Sequence, residues 1–317
     1  MDSGEYIFTA NTGEDTISIV DVGDLKEVER LYLHRMIDIN GNRFPIKPTI
    51  GPYSLKVHPL DGQLFCVNCY DHSLFIIDIH KKVILNRIDV GKYPCEIDID
   101  WQNRIAYITN GDSNTLSIID LDQERMVSQL PLGELPQGLI YNGKREELYV
   151  ANMYENRVSI IDCTQLVHRD SIEVDSCPAY VLLSPDQGFL FVSLSQMESE
   201  VGGSIAVIDL EMRRIVKRID VGKIPRQMTI STREEVLFVV NSTSNSISLI
   251  SIGEGRELGR IRTGIMPRGI ALDRREKTLF TTNIGDSTLS VISREEGRIL
   301  KNIPIGKIPN GIAYLEL

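Results

Sequence analysis

Apolar residues in this chain fall in short runs of about four to eight, either alternating with polar residues or continuous, each closed by Gly, Asn, Asp or Ser. YIFTAN (Tyr6 to Asn11), LFCVN (Leu64 to Asn68) and VLFVVN (Val236 to Asn241) are of this kind, and each predicts a β-strand. A helical period shows only between Asp24 and Glu29.

The runs repeat. A G-x-x-P turn recurs as GKYP at Gly91, GELP at Gly133, GKIP at Gly222, GIMP at Gly264 and GKIP at Gly306, with the variants GPYS at Gly51 and DSCP at Asp175. Each unit of about 42 residues reads as the turn, an apolar strand, L-[YF]-V-x-N, a loop, [TS]-[IL]-S-[IVL]-I-D and a last alternating strand. Four strands at this period predict an all-β, seven-bladed β-propeller of four-stranded antiparallel blades in a single domain spanning residues 1–317. Six blades are continuous: 51–90, 91–132, 133–174, 175–221, 222–263 and 264–305. The seventh is composite, 306–317 plus 1–50, so that the C-terminal strand pairs with the N-terminal blade and closes the ring.

The strings YVAN (Tyr149 to Asn152), YITN (Tyr107 to Asn110) and NTLSIID (Asn114 to Asp120) resemble the YVTN-type propeller repeat over essentially the whole chain. Proteins of that YncE-like or surface-layer type are distantly related to the haem-d1 propeller of nitrite reductase. The resemblance implies the fold strongly and the function weakly, since the family includes binding proteins, scaffolds and a few enzymes.

Charge and composition narrow the classes. With 34 basic against 44 acidic residues the net charge is −10, contrary to what a phosphate-backbone binder needs, so no nucleic-acid partner is expected. No apolar run is long enough for a membrane helix, and no membrane partner is expected. The N-terminus lacks the basic and apolar regions of a signal peptide, so a cytoplasmic monomer is expected, or an extracytoplasmic one had a leader been trimmed. The five cysteines suit a reducing compartment. Cys66 and Cys69 form C-x-x-C, but no second pair completes a zinc set, and the five histidines have no ligand spacing. Neither a metal nor a cofactor is expected, and no catalytic residue is assigned.

Features copied in every blade are architecture: the strand-ending Asn11, Asn68, Asn110, Asn152, Asn241 and Asn283, the terminal Asp series, and the turn Gly and Pro. Blade five departs with Leu194 in place of Asn, and with a longer loop SQMESEVGGS. Blade one is lengthened between Asp21 and Gly51, by a charged run (Asp24 to Arg30) and by NGNRFPIKPTIG. The turns and the loops after each Asn should share one face. On it, Arg226 and Arg268 follow the turn proline where other blades have Leu55, Cys95, Gln137, Ala179 and Asn310. Tyr180, Glu96, Gln227 and Lys56 occupy the next strand position, and Lys223, Lys307, Arg43 and Lys47 add peripheral basic charge. A guanidinium fork suits carboxylate or phosphate; paired surface charge is the alternative. The expected function is a non-enzymatic binding or scaffold propeller, taking a protein segment or small anionic ligand at the channel mouth. The competing expectation is a lyase, lactonase or oxidoreductase at the same mouth.

Overall fold

A computed structural model describes residues 4–37, 49–58, 60–195 and 202–317. Within them the chain forms seven four-stranded antiparallel sheets arranged as a ring. The innermost strand of each blade begins at the turn proline, as in Pro52–Val57, Pro94–Asp100 and Pro225–Ser231. The composite blade has the order Pro309–Glu316, Glu5–Asn11, Thr16–Asp21, Lys26–Tyr32, with Tyr6 opposite Leu315 and Phe8 opposite Ala313. The C-terminal strand therefore supplies the innermost strand of the first blade. It covers the edge that Glu5–Asn11 would otherwise expose toward the axis.

The repeated residues explain why each blade forms. An aromatic ring stands three residues before each strand-ending position: Phe8, Phe65, Tyr107, Tyr149, Phe191, Phe238 and Phe280 are all buried. Together with Ile, Leu and Val they fill the interfaces between successive blades; Phe65, Val67, Ile97, Ile108 and Ile119, for example, pack blade two on blade three. Each strand-ending Asn reaches across to its own third strand. Nδ2 of Asn110 donates to Ser117 Oγ at 2.9 Å, and Asn11, Asn152, Asn241 and Asn283 make the same bond to Ser18, Ser159, Ser248 and Ser290. The terminal Asp accepts turn N–H groups, as Asp78 does from His80 and Lys81 at 3.0 and 2.8 Å.

These bonds also fix which loops share a face. The turn glycine lies against the Asn of its own blade so closely that a Cβ on Gly91 would come within 2.6 Å of the Asn110 side chain. Only glycine permits that approach, and it holds the G-x-x-P turn beside the loop after the Asn. Both lie on one face of the ring, called the top face below.

Three expectations need correction. The helical period at Asp24–Glu29 does not form a helix: Lys26–Tyr32 is an outer strand, and the helix is the next segment, Leu33–Ile37. The charged run is accordingly an ordinary fourth strand, with Arg30 bonded to Glu27 and Glu14, and the extra length of blade one lies beyond it. In blade two the register follows the proline rather than the glycine. Pro52 pairs with Asn68 just as Pro94 pairs with Asn110, which makes Tyr53 the counterpart of Cys95 and displaces Leu55 and Lys56 by two positions down the strand. Arg43, Lys47 and most of SQMESEVGGS lie outside the described residues.

Candidate functional site

The residue after each turn proline points into the axis. Tyr53, Cys95, Gln137, Ala179, Arg226, Arg268 and Asn310 form a ring there, and together with Glu96, Tyr180, Gln227 and their neighbours they line a cavity of about 40 Å³. That is room for on the order of three waters, or one small charged group. Glycine dominates the second level on two sides because the innermost strands touch: a Cβ on Gly138 would meet Tyr180 Cα at 2.7 Å, and one on Gly311 would meet Tyr53 O at 2.5 Å. The channel is therefore a narrow throat rather than an open funnel.

Below the throat lies a wider cavity of about 340 Å³, lined by the apolar Met228, Ile270, Leu272 and Ile312 and by the polar Lys56, Glu96, Tyr180 and Gln227. Glu96, Tyr180 and Gln227 border both spaces and form a polar layer between them. The expected sites thus divide by level. Arg226, Arg268, Asn310, Gln137, Tyr180 and Glu96 gather around the throat, whereas Lys56 sits in the lower cavity, paired with Asp98 at 3.0 Å. Lys223 and Lys307 are exposed on the turns and do not line it. Tyr53 and Ser54 were missed, because blade two brings its proline directly after the glycine and so disguises the register.

The two arginines differ in what holds them. Arg268 lies over the Tyr53 ring, 5.3 Å from its centre, and its Nη2 donates to the Tyr53 hydroxyl. Arg226 has no hydrogen bond or ion pair among the described residues. Burial, followed by repulsion from Arg268, pulls its guanidinium down to about 10. Asn310 is not a free donor, since its Nδ2 is engaged by Thr12 Oγ1 at 2.7 Å. Gln137 Nε2 reaches the Cys95 sulfur at 3.3 Å, and burial pushes that thiol up to about 12.

The polar layer carries the opposite charge. Burial raises the Glu96 carboxyl above the usual range, offset in part by the Ser54 hydroxyl that donates to it and by the Lys56 cation. Burial next to Glu96 and Asp98 raises the Tyr180 phenol well above its ordinary value. Cys66 and Cys69 are free buried thiols, with Cys69 pushed by burial up to about 12. Among the described residues no group of three His, Cys, Asp or Glu side chains is placed to hold a metal ion. No described helix is long and apolar enough to cross a membrane.

The comparisons with known proteins bear first on the class. A family model described as "Lactonase, 7-bladed beta-propeller" matches residues 150–263, which run from blade four through blade six and include Arg226. The chain is a seven-bladed propeller with a lactonase-like segment. Solved structures agree on the fold. A functionally unknown protein from Desulfotomaculum acetoxidans superimposes with a TM-score of 0.80 at 13% identity, covering 98% of this chain and 99% of that one. Kuenenia stuttgartiensis hydrazine synthase gives 0.75 at 18% identity, over 86% of this chain and 92% of that one. A candidate 6-phosphogluconolactonase from Bacteroides fragilis gives 0.76 at 14% identity, over 99% and 98%. Among curated proteins, none matches this chain significantly.

Proposed function

We propose that the throat is an anion-binding site and that the protein is a non-enzymatic binding propeller of the YncE-like kind its YVTN-type strings suggest. The observation that carries this reading is Arg226: a guanidinium desolvated enough to lose basicity, yet left with no partner among the described residues. A half-buried cation that the described residues do not neutralise is costly, and a bound anion lowers the cost by supplying the missing charge. Arg268, steered by Tyr53, adds a second positive charge beside it. Thermal shift with acetate, phosphate and sulfate at constant ionic strength tests the site. A ligand at 100 times its dissociation constant adds about 2.7 kcal/mol, which is readily seen. The expected result is a stabilisation by one class of anion that disappears in Arg226→Gln. Equal stabilisation of both proteins, or of neither, would overturn it.

A second reading has its own support. The lactonase-like segment reaches Arg226, and Glu96 places a carboxyl of raised basicity in the same throat, where it would act as general base for water attacking a lactone carbonyl. Hydrolysis of an anionic sugar lactone, present in the wild-type protein and abolished in Glu96→Gln, would favour this reading over binding alone.

A further inference from the structure

Directly above the throat stands a second ring, made by the residue before each turn proline. Six of these are Tyr93, Leu135, Cys177, Ile224, Met266 and Ile308, all in the left-handed conformation with φ between 50° and 54°. A left-handed backbone is the natural place for Gly or Asn, and only blade two uses glycine there, at Gly51. A β-branched residue in this conformation is an outlier, and the ring holds two, Ile224 and Ile308. The chain therefore keeps large apolar side chains at the mouth against local backbone preference. Left-handed residues recur at other turns of the blades, but among the described residues only Ile224 and Ile308 are β-branched, and their strain points to a use for the side chains of this ring.

The collar is preorganised and open. The amide N–H groups of Leu135, Cys177 and Met266 are each held by the Asn side chain of the preceding blade, at 3.0, 2.9 and 2.8 Å. Met266 and Ile308 are 48% and 45% exposed, and Ile265, Tyr70 and Tyr154, in the turns and loops of blades seven, two and four, are exposed as well. An apolar collar above a throat with an unpartnered cation matches a molecule with an anionic tip and apolar shoulders.

We infer that the anion bound at Arg226 is the terminal carboxylate of a polypeptide whose last residues are apolar. This rests on the anion-binding reading and specifies its ligand. A chain end enters along the axis, so one carboxylate fills the small cavity while the last side chains meet the collar. An internal Asp or Glu would instead lay the polar backbone on both its sides across that collar, and unpaired amides there would be penalised. Beyond the collar, Tyr70, Ile265 and Tyr154 are exposed apolar side chains at three separate points of the ring, out of reach of a small acid bound in the throat but within that of a peptide of several residues.

The test is fluorescence polarisation with eight-residue peptides carrying a Gly-Ser spacer and ending in every pairing of Ala, Val, Leu, Ile, Phe and Tyr. Each is made as the free acid and as the C-terminal amide. At least one free acid should bind ten-fold or more tightly than its amide, and Arg226→Gln should abolish that difference. Ile308→Ser and Met266→Ser should weaken the peptide three-fold or more while leaving the acetate-induced thermal shift unchanged, a readout that also reports that they fold. If no free acid is preferred while acetate or phosphate still stabilises through Arg226, the inference is overturned and the anion site stands. If neither peptide nor small anion binds, both fall.

Discussion

Two pairs of arginines in this ring meet opposite fates. Arg169 and Arg213, from blades four and five, converge on the buried carboxylate of Glu147 at 3.0 and 2.9 Å, and Tyr149 donates to the same group at 2.6 Å. Each arginine has a further acidic partner, Asp162 for Arg169 and Asp170 for Arg213. Arg226 and Arg268 converge on the axis, and among the described residues neither pairs with a carboxylate and only Arg268 finds a hydrogen-bond partner, in Tyr53. An acidic chain has carboxylates to spare, so the empty place at the throat reflects where side chains point rather than composition. The first pair is a clamp between blades; the second leaves a charge that no carboxylate among the described residues pairs.

The sharpest way to break this contrast is to remove the acceptor of the clamp. Glu147→Ala leaves the Tyr149 hydroxyl buried without a partner and should destabilise the fold by about 1–3 kcal/mol, read as a lower urea midpoint. An unchanged midpoint would mean that the clamp is decorative and the two pairs are alike. Replacing the throat arginine should have the opposite sign. Arg226→Met removes a desolvated cation and keeps much of its packing, so the free protein should gain about 1 kcal/mol while losing its response to anions. The linkage agrees: a guanidinium lowered to about 10 in the folded state burdens folding at every pH below that value. A destabilised Arg226→Met would show that this arginine is structural after all.

A smaller effect separates the throat's backbone from its charge. Pro225 presets the turn that carries Arg226, so Pro225→Ala should cost about 0.4–1 kcal/mol by urea denaturation and leave the anion response intact. Loss of that response would place the positioning of Arg226 in the proline rather than in the innermost strand as a whole.

The contrast between the two pairs also marks what was legible in the chain itself. The ring was readable because each blade repeats the same aromatic, Asn and Ser in register, and these residues serve inside their own blade or against the next. Arg226 and Arg268 were readable for the converse reason: they break a position that repetition otherwise leaves to small or neutral residues. Tyr53 escaped because blade two replaces the left-handed residue by Gly51 itself, which shifts the apparent turn by two residues. The Glu147 clamp escaped because its members, from a second strand, a fourth strand and a turn of two different blades, share no spacing. The polar layer of Glu96, Tyr180 and Gln227 is likewise a product of closing the ring, since no two of these residues come from one blade.

That layer supplies the finest test of the contrast, because Glu96 is the carboxylate that lines the throat and yet is drawn to Ser54 and Lys56 rather than to Arg226. Its carboxyl is raised above the usual range chiefly by burial, so the folded state favours the protonated form. The sign follows: the group favours folding while it is protonated in both states, below the ordinary carboxyl range, and that contribution is lost as pH rises through the raised value. Glu96→Gln mimics the protonated form at every pH. Its melting temperature should match the wild type near the acid end and exceed it at pH 8, the smallest of the changes considered. If the wild type is instead the more stable at pH 8, the Ser54 hydroxyl and Lys56 outweigh burial. Glu96 would then belong with Glu147 as a satisfied structural carboxylate, leaving Arg226 as the charged group of the throat with no hydrogen-bond or ion-pair partner among the described residues.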